Sequence, residues 1–118
     1  ITLFKSTQLI TMETFIEGAN NTEMEVYNEL KTVIDPEIGI NIIDLGFVYK
    51  IEHTEEKGIQ IEMTLSTKGC PMGDVILDNI QTVLDKRFPE KKLNIQLVWE
   101  PAWSSDFVTP EGRKVLGI

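Results

Sequence analysis

The stretch "IQIEMTLS", residues 59 to 66, alternates without a fault. Ile59, Ile61, Met63 and Leu65 point one way, and Gln60, Glu62, Thr64 and Ser66 the other. A period of two held this long demands a strand with one buried and one wetter face, and it is incompatible with a helix. The constraint spreads along the chain in both directions. Upstream, "FVYKIEH" sets Phe47, Tyr49 and Ile51 on one face, and "TEEKG" has turn composition, so the two segments are expected to pair as an antiparallel hairpin. Downstream, "TKGCP" leads into a helix expected over 72–87, with a stripe of Ile76, Ile80, Val83 and Leu84 and with Val75 and Leu77 at its margins. "LNIQLVW" then alternates through Leu93, Ile95, Leu97 and Trp99. A right-handed crossover sets this third strand parallel to 59–66.

A strand hairpin with one apolar face needs a cover, and a further helix supplies it. Thr22 and Glu25 have capping-box spacing, and Val26, Tyr27, Leu30, Val33 and Ile34 recur at helical intervals. Asp35 before Pro36 ends that pattern, because the residue preceding proline disfavours the helical region. The loop "DPEIGINIIDLG" mixes acid, glycine and isoleucine, which reads as an ordered loop pinned into the core. In the tail, Thr109 suits a helix cap, Pro110 its first turn and Gly117 its end. The sum is a small two-layer α+β domain, a mixed three- or four-stranded sheet with helices mainly on one face. The domain is expected over 22–118. Residues 1–21 read as a variable arm whose first ten or so residues suit an edge strand or a tag-derived extension. The chain opens on Ile1, so the native start is expected to be missing or preceded by foreign residues, with Met12 a candidate start.

Composition narrows the partners. At 118 residues the chain holds one modest core, and 42% apolar with 25% charged residues suits a folded globular protein. Nineteen acidic against eleven basic residues give a formal charge of −8, which disfavours nucleic acid and anionic membrane surfaces. No apolar run is long enough for a membrane span, and the start lacks a convincing signal-peptide core. One cysteine excludes an internal disulfide framework and a tetrathiolate metal site within one subunit. The cytosol is the expected compartment.

That cysteine, Cys70, lies in "TLSTKGCPMG". Pro71 suits a first helical position, so the thiol is expected at or just before a helix start, where unpaired amides and the positive helix end lower a cysteine pKa. Gly69 leaves room for a tight turn or a ligand, and Gly73, costly in a first turn, hints at a close approach. A packed cysteine in a strand-to-helix turn and a reactive or metal-ligating thiolate both fit these residues. Asp35, Glu37 and Asp44 read as turn chemistry; brought near a thiolate, they would need a metal cation or partner to balance their charge. His53, the only histidine, falls at the far end of the hairpin from Cys70. Trp103 lies beyond the third strand, as a lid folded onto the core or as part of a partner surface. Ser104, Ser105 and Thr109 could bring hydroxyls to the thiol or serve as caps.

Three blocks together, "DPEIGINIIDLGFVYKI", "MTLSTKGCPMG" and "LVWEPAWSSDFVTPEGRKVLG", resemble the family once called domain of unknown function 59. It holds cytosolic iron–sulfur assembly factors, bacterial SufT-like maturation proteins and PaaD-like proteins. The resemblance implies a small α/β domain that helps mature iron–sulfur proteins. It maps a thiol motif onto Thr67, Gly69, Cys70 and Pro71, and an acidic motif onto Asp35, Pro36, Glu37 and Asp44. A C-terminal block falls on Trp99, Pro101, Trp103, Thr109, Arg113 and Leu116, with Ala102 where proline is common and Thr109 where serine is common. "TKGCPMG" lacks the lysine–serine ending of an ATP-binding loop, so nucleotide hydrolysis would come from a partner.

On this resemblance the chain is expected to be a cluster assembly or transfer factor with Cys70 as its key thiol, and not an enzyme with turnover. One thiol cannot hold a cluster alone. A transient [2Fe–2S] or [4Fe–4S] cluster is therefore expected between two subunits of a homodimer or shared with a partner. Expected partners are iron–sulfur carriers or scaffolds and client apoproteins, with Trp103, Thr109 and Arg113 as candidate partner-surface residues. Two other readings stand beside it: a cysteine-dependent thiol enzyme, which needs a base within reach of Cys70, and a non-catalytic subunit or adaptor of a metabolic oxygenase complex.

Overall fold

A computed structural model describes residues 4–5, 8–9, 19–69 and 71–118. Alternation in 58–63 gives the central strand of a three-stranded sheet, ordered β3 (Val48–Thr54), β4 (Gly58–Met63), β5 (Leu93–Leu97). β3 and β4 form the expected antiparallel hairpin, with Ile51 opposite Ile61 and His53 opposite Ile59. β4 and β5 are parallel, with Ile61 opposite Ile95. Near the chain start, β1 (Phe4–Lys5) and β2 (Gln8–Leu9) pair with each other in a separate ribbon, where an edge strand of the main sheet was one expectation.

The apolar face of the sheet is covered by α1 (Asn21–Leu30) and α2 (Gly73–Arg87). Val26 and Leu30 from α1 and Ile76, Ile80 and Leu84 from α2 are buried against Ile51, Ile59, Ile61 and Met63. Burial of side chains this size, at about 1.5–3 kcal/mol each, is what holds the layers together. The opposite face carries Lys50, which sits between Glu52 at 2.9 Å and Glu62 at 3.6 Å, both exposed pairs that add little stability. A short C-terminal helix, α3 (Pro110–Leu116), has the expected Thr109 cap, an early proline and a left-handed Gly117 at its end.

The boundaries of α1 differ from the sequence expectation at both ends. Its cap is Asn20, whose side chain accepts from the Glu23 amide while the Glu23 carboxylate accepts from the Asn20 amide. Glu23 is selected over the Thr22/Glu25 pair by a tertiary partner: its other oxygen accepts from the His53 amide of β3 at 3.0 Å. At the other end the helix stops at Leu30. The β-branched run Thr32–Val33–Ile34 leaves the helical path, and Ile34 bridges Asn41 in an extended turn.

Candidate functional site

Helix direction decides which loops meet. The start of α1 is pinned to the end of β3, because Asn20 donates to the His53 carbonyl and Glu23 accepts from its amide. α1 therefore runs towards the start of β3 and delivers the acidic loop 31–47 there. β4 ends at the same place and releases the thiol loop 64–72; β5, parallel to β4, ends there too and releases 98–109. All three blocks singled out in the sequence thus leave the sheet at one end.

The acidic loop is held by its own carboxylates. Asp35 is 2% exposed, and its Oδ1 accepts from the amides of Glu37 at 2.8 Å and Ile38 at 3.3 Å, closing a tight turn. Glu37 is exposed. Asp44 is a clasp: Oδ2 accepts from Asn41 at 2.8 Å, Oδ1 accepts from the Thr109 hydroxyl at 2.9 Å, and its carbonyl accepts from the Thr109 amide. Thr109 simultaneously caps α3, so one carboxylate ties the acidic loop to the C-terminal helix. Burial, with the Asp44 and Glu111 carboxylates behind it, pushes the Tyr27 hydroxyl from 10.0 up to about 12. Gly46 has φ +79°, and a Cβ there would lie 2.4 Å from the Phe107 carbonyl oxygen, so only glycine allows the loop to lie against the C-terminal segment.

The C-terminal segment folds back over this end. Trp103 donates from Nε1 to the Leu45 carbonyl at 2.7 Å and meets the Phe47 ring edge-on at 5.6 Å, a lid on the core. Arg113 donates to the Ser105 carbonyl at 3.0 Å and lies 3.9 Å from Asp106. Two more residues complete the wall: Tyr49, expected on one face with Phe47 and Ile51, and Lys68, given no role in the sequence reading. A register shift between Val48 and Lys50 turns Tyr49 out of alternation, and its hydroxyl donates to the Pro101 carbonyl at 2.7 Å. Lys68, within the thiol loop, sits 5.8 Å from the Trp99 ring centroid, which joins that loop to the end of β5. The bulge leaves no trace in the hydrophobic pattern. The Asn41/Asp44 spacing, one helical-type turn apart, was the readable sign of the clasp.

The thiol loop itself differs in detail from its expected shape. β4 stops at Met63, and Thr64, expected on the wetter face, is fully buried, its amide donating to the Phe47 carbonyl. α2 begins at Gly73 with Met72 as its cap, so Pro71 stands in the preceding turn and not in the helix. The helix therefore starts three residues after Cys70 in sequence, where the spacing put the thiol at or just before the helix start. Cys70 lies outside the described residues. At Gly73 a Cβ would lie 2.9 Å from the terminal Leu65 Cδ1, a close approach to the end of one side chain. At Gly69 the space is open, with no atom within 4 Å of an added Cβ, and Thr67 and Pro71 are exposed.

The opposite end of the sheet is different in kind. A cleft of about 480 Å³ opens there between His53, Glu55, Arg87, Phe88, Lys91 and Lys92. It contains none of the thiol, acidic or C-terminal block residues. His53 Nε2 lies 3.1 Å from Lys91 Nζ. His53 pairs with Ile59, and the thiol loop begins only after Met63, roughly 13 Å further along the strand. A base role for His53 towards that loop is ruled out by this placement. Among the described residues, no group of three or more His, Asp or Glu side chains is placed to hold a metal ion. No helix among them is long and apolar enough to cross a membrane.

A sheet of this order, with three motif blocks gathered at one end, defines a class already known from sequence and structure. A family model described as iron–sulfur cluster assembly protein matches residues 23–96, and the chain belongs to that family. The Fe–S protein maturation auxiliary factor SufT of Staphylococcus aureus is 40% identical over 86 residues, 73% of this chain and 98% of the relative. The Fe–S protein maturation auxiliary factor YitW of Bacillus subtilis is 33% identical over 93 residues, 79% of this chain and 91% of the relative. A crystal structure of a domain of unknown function, DUF59, from Bacillus anthracis superposes with a TM-score of 0.79 at 34% identity, covering 87% of this chain and 98% of that one. Both relatives are named for an auxiliary role in maturation and not for a reaction of their own, which agrees with the reading of this chain as a factor without turnover.

Proposed function

We propose that this chain assists the transfer or assembly of an iron–sulfur cluster for client proteins, and that Cys70 is the thiol that touches the cluster. The observation that carries this reading is the convergence of the acidic, thiol and C-terminal blocks on one end of the sheet, in a chain belonging to an iron–sulfur assembly family. The cluster, [2Fe–2S] or [4Fe–4S], is cargo. Cys70 supplies one thiolate, and a carrier, scaffold or client apoprotein supplies the others. Thr67, Gly69 and Pro71 keep the approach open. Asp35 and Asp44 shape the neighbouring wall through their hydrogen bonds to loop amides and to Thr109, and Glu37 stands exposed beside them. Trp103, Thr109 and Arg113 hold the C-terminal segment that a partner would meet there. The working unit is the domain expected over 22–118, together with Asn20 and Asn21, which begin α1, and the arm precedes them. The protein acts in the cytosol.

Anaerobic reconstitution with iron and sulfide, read by absorption spectra, tests the assignment. Wild type is expected to take up a weakly held cluster that a carrier removes, and Cys70→Ala to take up none while keeping its circular dichroism spectrum. Equal uptake by both proteins, or none by either, would overturn Cys70 as a direct cluster ligand.

A further inference from the structure

β5 is an edge strand, and its free edge is unlike a protected one. The order β3-β4-β5 leaves two edges, of which β3 is covered at His53 by Asn20 and Glu23. On β5, the Lys92 carbonyl and the Val98 amide face β4, bonded to Ile59 and Met63. Alternation then turns the amides and carbonyls of Leu93, Ile95 and Leu97 outward. Among the described residues nothing pairs with them. Soluble proteins blunt such edges with charge, proline or a bulge. Residues 93–99 contain no charged residue and no proline, in a chain that is 25% charged, and the β4–β5 register runs unbroken.

The edge also matches itself. "LNIQL" reads the same in character from either end: leucine, amide, isoleucine, amide, leucine. We propose that β5 is a self-association edge that pairs antiparallel with β5 of a second copy, about a two-fold axis at Ile95. Ile95 then exchanges both backbone hydrogen bonds with the partner's Ile95, and Leu93 does so with the partner's Leu97, satisfying every outward group. On the polar face, exposed Asn94 meets the partner's Gln96, amide to amide. On the other face the half-buried Leu93, Ile95 and Leu97 meet their counterparts. Two copies that each carry a charge of −8 meet where neither carries any. The result is one continuous six-stranded sheet.

This arrangement has a consequence for the thiols. Trp99, beside the thiol loop, lies four residues beyond Ile95, and the strands run in opposite directions. The two Trp99 residues, each with its thiol loop beside it, come to opposite ends, roughly 27 Å apart along the strands. Each site would face its own partner.

Sedimentation of the full chain over a concentration series tests the edge, with two variants on the exposed face. Wild type is expected to dimerise as concentration rises. N94K/Q96K places like charges opposite each other twice and should weaken the dimer roughly tenfold or more. N94K/Q96E places each introduced lysine opposite the partner's introduced glutamate and should bind at least as tightly as wild type. A chain that stays monomeric throughout, leaving the edge to a strand of another protein, would overturn the proposal. Equal effects of the two variants would overturn it as well.

Discussion

The two ends of this sheet are built by different means. At the His53 end, α1 is capped by neighbours three residues apart, and the same two side chains, Asn20 and Glu23, tie the cap to one residue of β3, His53. At the thiol end, the bonds span long stretches of chain: Asp44 to Thr109, Leu45 to Trp103, Tyr49 to Pro101. The first end is mostly local and closes the domain. The second is a set of loops clasped to one another, with open space at Gly69. Loops carried on a rigid scaffold are where function usually sits, and here the clasp lets them be ordered without strands or helices of their own.

The sharpest way to break that difference is at Gly46. Gly46→Val forces a β-branched side chain into positive φ and against Phe107, and should cost roughly 3 kcal/mol or more by chemical denaturation. Cluster uptake in the reconstitution assay should fall with it. Next comes a matched pair. Asp44→Ala leaves the Thr109 hydroxyl and Asn41 without their partner and should cost about 2 kcal/mol, again with loss of uptake. Asn20→Ala removes the cap at the other end for about 1 kcal/mol and should leave uptake unchanged. Equal uptake by Asp44→Ala and Asn20→Ala, at equal folded fraction, would show that the clasp has no part in the site.

The smallest effect is a pH limb. The folded chain holds the Tyr27 proton more tightly than the unfolded chain does, so this contribution is whole below pH 10 and is lost as pH rises from 10 towards 12. Discounted for solvent screening, it amounts to about 1 kcal/mol. Tyr27→Phe should flatten that limb in pH-dependent denaturation without altering stability's slope at neutral pH.

Much of the architecture was legible because strand and helix periods are local. The alternation of 59–63, the stripe of α2 and the cap, proline and glycine of α3 all appear where the pattern put them. The expected hairpin and parallel crossover followed from chain order and handedness. The thiol, acidic and C-terminal blocks were legible as motifs, and strand direction alone placed two of them together. What the pattern missed depended on partners distant in sequence. Glu23 outcompeted Glu25 because the His53 amide waits for it; Thr64 is buried because Tyr49 and the C-terminal segment cover its face.

By itself, then, the chain specified its layers, its strand order and the end of the sheet from which its motif blocks leave, since periodicity and connection rules act over a few residues at a time. Only the tertiary structure decided how that end is held. The roles of Asp44, Gly46, Tyr49 and Trp103 arise from hydrogen bonds and contacts across fifty or more residues of chain, or from a backbone conformation with no signature in hydrophobicity. A side chain's partner at that distance is fixed by where the whole core places it, which no local pattern encodes.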